Sequence, residues 1–144
     1  MIFTQHYDSP LGGILLAADG TGLRGLWFDG QKYFARDLSA ERIDAFRLSV
    51  WEILLKIPYG QTITYGDIAQ QLAAKRGLAN MSAQAVGGAV GHNEISVIIP
   101  CHRVVGANGS LTGYAGGIDK KIKLLELERA DMAQLFVPKK GTAL

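Results

Sequence analysis

The chain has 144 residues, 48% of them apolar and 19% charged, which allows one core with a small appendage but not two full-sized domains. No run approaches the roughly 20 apolar residues of a membrane helix; one cysteine, with histidines at 6, 92 and 102, excludes an internal disulfide and a cysteine-rich zinc site. The net charge of +2 is unevenly spread, with four Lys/Arg against six Asp/Glu in residues 1–44 and eleven against seven in 45–144, which suits a nucleic-acid-binding C-terminal part but is also common on plain surfaces.

The opening M-I-F-T-Q-H-Y-D has neither a basic stretch nor a long apolar one, so no export signal is read and a cytoplasmic protein is expected. The runs I-F-T-Q-H-Y, G-I-L-L-A-A and L-R-G-L-W-F, separated by the turn signals D-S-P-L-G and D-G-T-G, predict a three-stranded antiparallel meander. So small a sheet must lean on the rest of the chain. From Ile43 the period changes, and Phe46, Val50, Trp51, Leu54 and Leu55 predict an amphipathic helix that Pro58 and Gly60 end. Thr64 with Asp67 reads as a capping box opening a helix through Lys75, and Ser82 begins a second helix after the break at R-G-L-A-N.

That second helix, with Ala83, Ala85, Gly87, Gly88, Ala89 and Gly91, has almost no bulk on one side. Helical glycines cost up to about 1 kcal/mol each relative to alanine, so something must use the close backbone approach. A tightly packed neighbouring helix and an outside ligand both fit. I-S-V-I-I-P-C-H-R-V-V follows as a buried segment too short for a long helix, then the glycine-rich loop G-A-N-G-S-L-T-G-Y-A-G-G. Asp119 begins a last helix with Ile118, Ile122 and Leu125 on one face, and P-K-K-G-T-A-L is read as a loose tail.

Cys101 lies beside His102 and Arg103. A thiol is mostly protonated at neutral pH unless a base or a positive charge activates it, so the neighbours fit a nucleophile; a buried small hydrophobe is the other reading of a lone cysteine in an apolar run.

The motifs I-P-Y-G-Q-T-I-T-Y-G-D-I-A at 57–69, A-V-G-G-A-V at 85–90, Asn93, I-P-C-H-R-V-V at 99–105, N-G-S-L-T-G-Y-A-G-G at 108–117 and K-L-L-E-L-E at 123–128 resemble, in order and spacing, the O6-alkylguanine-DNA alkyltransferases, also called methylated-DNA-protein-cysteine methyltransferases. Residues 9–28 are similar to the start of that family's N-terminal domain. The resemblance implies an α+β fold: a truncated N-terminal β-meander over residues 1–40, packed on a mainly helical domain at 41–144 that contains a helix-turn-helix. It implies single-use DNA repair, in which Cys101 takes an alkyl group from O6 of guanine and keeps it as a thioether, with no cofactor and no metal.

By the same likeness His102 takes the thiol proton through a water, Glu128 orients the imidazole, and Asn93 ties the helix-turn-helix to the cysteine segment. Tyr65 donates toward the guanine ring nitrogen and crowds a phosphate. Tyr114 stacks on the extruded base, the Val104 carbonyl accepts from the exocyclic amine, and the Ala115 amide, beside Gly116, points at O6. The helix at 82–91 resembles a recognition helix that enters the minor groove with little sequence readout, so Gln84, Ala85 and Gly88, together with Tyr65 and Arg103, are expected to contact duplex DNA. Lys75, Arg76 and Lys121 are weaker phosphate candidates, and a monomer is expected.

Two departures from the family pattern stand out. Gln84 replaces an arginine that fills the gap left by the rotated guanine, and the N-terminal domain is shortened between the meander and Phe46. The first predicts weaker repair of duplex DNA with the chemistry kept; the second, reduced stability. The alternative inside the family is an alkyltransferase-like protein that binds lesions without transfer. Outside it stand a transcription regulator, whose major-groove reader would need an Arg, Asn and Gln array, and a cysteine hydrolase, which would need an oxyanion hole and repeated turnover.

Overall fold

The computed structural model describes residues 1–32, 34–35 and 45–139. Strands β1 (Phe3–Ser9), β2 (Gly12–Asp19) and β3 (Gly22–Phe28) form the expected antiparallel meander in the order β1-β2-β3, with Tyr7 opposite Ile14 and Leu16 opposite Leu26. The expected domain boundary at 40/41 and the last residues of the tail lie outside the described residues. β1 is exposed almost throughout, whereas Leu26, Trp27 and Phe28 at the end of β3 are buried. The sheet therefore leans on the rest of the chain through β3.

Helix α1 (Ala45–Leu54) follows, and Val50, Trp51 and Leu54 are its buried residues. Thr64 caps α2 (Tyr65–Lys75): its hydroxyl accepts from the Asp67 amide while the Asp67 carboxylate accepts from the Thr64 amide, so two otherwise orphaned helix-end donors are satisfied. Ser82 caps α3 (Ala83–Gly91) through the Ala85 amide. The last helix, α4 (Ile118–Leu127), begins one residue before the expected start and carries Leu124 and Leu125 inward. Among the described residues no helix is long and apolar enough to cross a membrane.

One element the sequence did not announce is a two-stranded parallel sheet of β4 (Ile63–Thr64) and β5 (Val104–Val105). It joins the entrance of α2 to the exit of the cysteine segment. Two residues per strand carry no periodic signal, so the pairing is decided by tertiary packing.

A core of Phe28, Trp51, Leu54, Ile68, Leu72, Val86, Val90, Ile99, Val104, Tyr114 and Leu124 draws on both parts of the chain. The meander is also bolted down by backbone: Leu26 N–H donates to Glu94 O at 2.8 Å, Ser96 N–H to Leu26 O at 3.0 Å, and Lys32 N–H to Ala115 O at 2.9 Å. Trp51 Nε1 donates to Ala89 O at 3.0 Å, which fixes α1 against the C-terminal half of α3.

Helix ends leave carbonyls without intrahelical partners, and the buried indole N–H supplies one to Ala89. Trp51→Phe keeps an aromatic ring and removes that donor, so it should lower stability by about 1–3 kcal/mol, read as a fall in thermal midpoint.

Candidate active site

Cys101 is reached by a chain reversal that Asn93 holds. The Asn93 amide donates to Ile99 O at 2.7 Å and to Cys101 Sγ at 3.1 Å, and its oxygen accepts from Ile95 N–H at 3.0 Å. Asn93, Ile99 and Cys101 are buried and Ile95 partly so, and residues 101–103 then make one 3-10 turn into β5. The turn rotates His102 away from Cys101 into the interior, where its Nε2 lies 2.8 Å from Glu128 Oε1. Glu128 caps the C-terminus of α4, 26 residues on. His102 Nδ1 is buried and has no protein hydrogen-bond partner among the described residues, and a carboxylate on Nε2 fixes the tautomer that leaves Nδ1 as an acceptor.

Burial pushes the Cys101 thiol up, opposed by the Asn93 hydrogen bond and the Lys121 charge. Burial pushes His102 down, opposed by Glu128. Burial also acts to raise Glu128, but Arg103 and His102 hold it below the usual carboxylate range. The resting pair is thus a thiol and a neutral imidazole. Ionisation needs a base and a nearby cation, and the base available is the imidazole of the adjacent His102.

The cation is Lys121, which the sequence placed on a surface as a phosphate contact. That expectation is corrected: Lys121 is fully buried, and its Nζ donates to Val104 O at 2.6 Å, Thr112 O at 2.9 Å and Gly113 O at 3.4 Å. Burial pushes its pKa down to about 8, with Cys101 acting to raise it. A signal was available, since Lys121 falls with Ile118, Ile122 and Leu125 on the apolar face of α4 at three- and four-residue spacing. Arg103 is partly buried, and its guanidinium is clamped on Glu128, at 2.9 Å from Nε to Oε2 and 2.7 Å from Nη2 to Oε1.

A cavity of about 200 Å³ opens onto Cys101 and is lined by Tyr65, Gly87, Val90, Gly113, Tyr114 and Ala115, among others. Tyr65 stands at the start of α2, its hydroxyl pushed up to about 12, chiefly by burial. Tyr114 is buried against the edge of Phe28, with ring centroids 6.4 Å apart. Val104 and Gly116 do not line the cavity; the Val104 carbonyl accepts from Lys121, and Gly116 packs under Phe28, where a Cβ would come within 2.9 Å of the ring. Lys32 and His92 do line it, and sequence reasoning missed both. Lys32 arrives only through the docking of the meander, a contact with no local signature.

Gln84, Ala85 and Gly88 share an exposed face of α3, and Lys75 and Arg76 are exposed at the end of α2. A Cβ at Gly88 or Gly91 would meet nothing within 4 Å. Packing inside the protein therefore does not require glycine at either position, and the neighbouring-helix explanation fails for these two. No group of three or more His, Cys, Asp or Glu able to hold a metal occurs among the described residues.

The profile of the 6-O-methylguanine DNA methyltransferase DNA-binding domain matches residues 45–130, and that of the ribonuclease-like domain of the same proteins matches residues 2–53. A methylated-DNA–protein-cysteine methyltransferase of Mycobacterium tuberculosis H37Rv is 41% identical over 160 aligned positions, covering 90% of this chain and 94% of the relative. The crystal structure of Mycobacterium tuberculosis OGT in complex with DNA superimposes with a TM-score of 0.74 at 40% identity, covering 88% of this chain and 92% of that one. O6-methylguanine-DNA methyltransferase from the hyperthermophilic archaeon Pyrococcus kodakaraensis gives 0.64 at 25% identity, over 89% and 99%.

Asn93→Ala removes three hydrogen bonds and leaves the part-buried Ile95 amide and the buried Ile99 carbonyl without these partners. It should destabilise the protein by about 2–4 kcal/mol, measured by denaturant unfolding.

Proposed function

The chain belongs to the 6-O-methylguanine DNA methyltransferase family, and we propose from this that it repairs DNA by moving an alkyl group, typically methyl, from O6 of guanine onto its own Cys101. The observation that carries the reading is the placement of the Cys101 thiol at a cavity with the His102–Glu128 pair directly behind it.

In the reaction proposed, His102 Nδ1 receives the thiol proton through a water, giving a thiolate and an imidazolium held by Glu128. Sγ attacks the alkyl carbon in line; the C–S bond forms as the C–O6 bond breaks, and its electron pair leaves with the guanine. Tyr65 donates toward the ring nitrogen, and the Ala115 amide toward O6, where negative charge develops. The Asn93 amide and the Lys121 charge favour the thiolate. The thioether is permanent, so each molecule acts once. The intact cysteine, histidine and glutamate set disfavours lesion binding without transfer.

The lesion must leave the duplex to reach a cavity of this depth. Unstacking costs a few kcal/mol, which stacking on Tyr114 and the pocket hydrogen bonds offset. The exposed face of α3 supplies the docking surface, and room at Gly88 and Gly91 suits backbone approach to a minor groove. Duplex DNA carrying O6-alkylguanine is thus the proposed partner, with Gln84 filling the gap left by the rotated base.

Incubation with O6-methylguanine DNA should give one methyl adduct per molecule, located on Cys101 by mass spectrometry, and Cys101→Ser should give none. Lesion clearance by Cys101→Ser, or repeated turnover, would refute the reading. Gln84→Arg should speed repair of duplex lesions by about tenfold, the equivalent of roughly 1.4 kcal/mol, with reaction on free O6-alkylguanine base unchanged. Comparison of the two substrates by single-turnover kinetics checks it.

A further inference from the structure

Arg103 lies where its charge has a use that DNA contact would not explain. Its guanidinium grips both oxygens of Glu128, its Nη1 donates to Ile57 O at 2.8 Å, and its Cζ stands 5.6 Å from the centre of the Tyr59 ring. The side chain is only 14% exposed. A two-pronged guanidinium–carboxylate pair fixes the plane of the carboxylate as well as its position. Glu128 Oε1 receives both Arg103 Nη2 and His102 Nε2. The imidazole is therefore aimed by a carboxylate that Arg103 itself aims.

We propose that Arg103 is a positioning residue for the proton transfer from Cys101: it fixes the Glu128 carboxylate that aims His102, adds its charge to the burial that disfavours the imidazolium, and so shifts the pH range in which Cys101 reacts. This rests on the transfer chemistry proposed above, in which His102 receives the thiol proton.

Only a neutral imidazole has a free lone pair at Nδ1. A buried carboxylate facing His102 alone would favour the imidazolium, which can accept nothing, and the guanidinium on the same carboxylate opposes that pull. The charged and titratable groups around the pair are Glu128 and Lys121 from α4, Cys101 from the same 3-10 turn, Tyr59 from the turn after α1, and Tyr65 and Tyr114 beyond the thiol. Of these, Glu128 raises the proton affinity of His102, while Arg103 and Lys121 lower it.

The sign follows. Without the Arg103 charge, His102 holds a proton to higher pH, which moves the acid limb of the Cys101 reaction to higher pH. The probe is iodoacetamide, which the thiolate alkylates with loss of iodide, followed by mass spectrometry across pH. Arg103→Met and Arg103→Gln should move the acid midpoint up by about one pH unit, whereas Arg103→Lys should stay within a fraction of a unit of the parent. An unmoved midpoint in Arg103→Gln, or an equal shift in Arg103→Lys, overturns the proposal, whatever happens to the melting temperatures. The probe needs no DNA, so failure to take methyl from a lesion refutes the function and leaves this result to be read separately.

Discussion

Glu128 is the group on which the candidate site and the scaffold around it both depend. One carboxylate at the end of α4 meets the imidazole behind the thiol and the guanidinium of Arg103. The turn after α1 closes over it: Gly60, at φ +80°, brings its amide 3.4 Å from Oε2, and a Cβ there would lie 2.8 Å from the Glu128 carbonyl oxygen. Only glycine takes that backbone conformation and leaves that space at no steric cost. Removing one partner from such a buried cluster strands the others, which is why the cluster acts as a unit.

Lys121 does for the glycine-rich loop what Glu128 does for the histidine. A buried ammonium needs acceptors on every side, and here they are the carbonyls of Val104, Thr112 and Gly113. The same contact that satisfies the charge pins the loop wall of the cavity to the strand leaving Cys101. The meander adds a brace from the other direction, with Gln31 Oε1 accepting from Phe28 N–H at 3.0 Å and Ser96 Oγ at 3.2 Å, and Lys32 N–H holding Ala115. A small sheet thus shapes a reactive pocket without contributing a reacting group.

The outer face of α3 follows a different rule. Its buried side, with Val86, Gly87, Ala89 and Val90, serves the core, while Gly88 is open to the outside. Helix stability is given up there with no intramolecular contact that benefits from the missing side chain.

Much was legible in the sequence because the signals were local. Turn residues marked the meander, Thr64 and Asp67 marked the start of α2, Ser82 marked α3, and the order and spacing of short motifs carried the family and the reacting cysteine. The extent of the N-terminal domain beyond the meander was read from spacing alone, and its boundary falls outside the described residues. What the sequence could not decide was the facing of its cations. Arg103 and Lys121 read as surface charges because residue type favours water, yet both have non-local partners that compensate burial: a carboxylate 25 residues away for one, and three backbone carbonyls for the other. Local periodicity fixes which elements form; only the packing of those elements determines which polar groups lose water and must find each other.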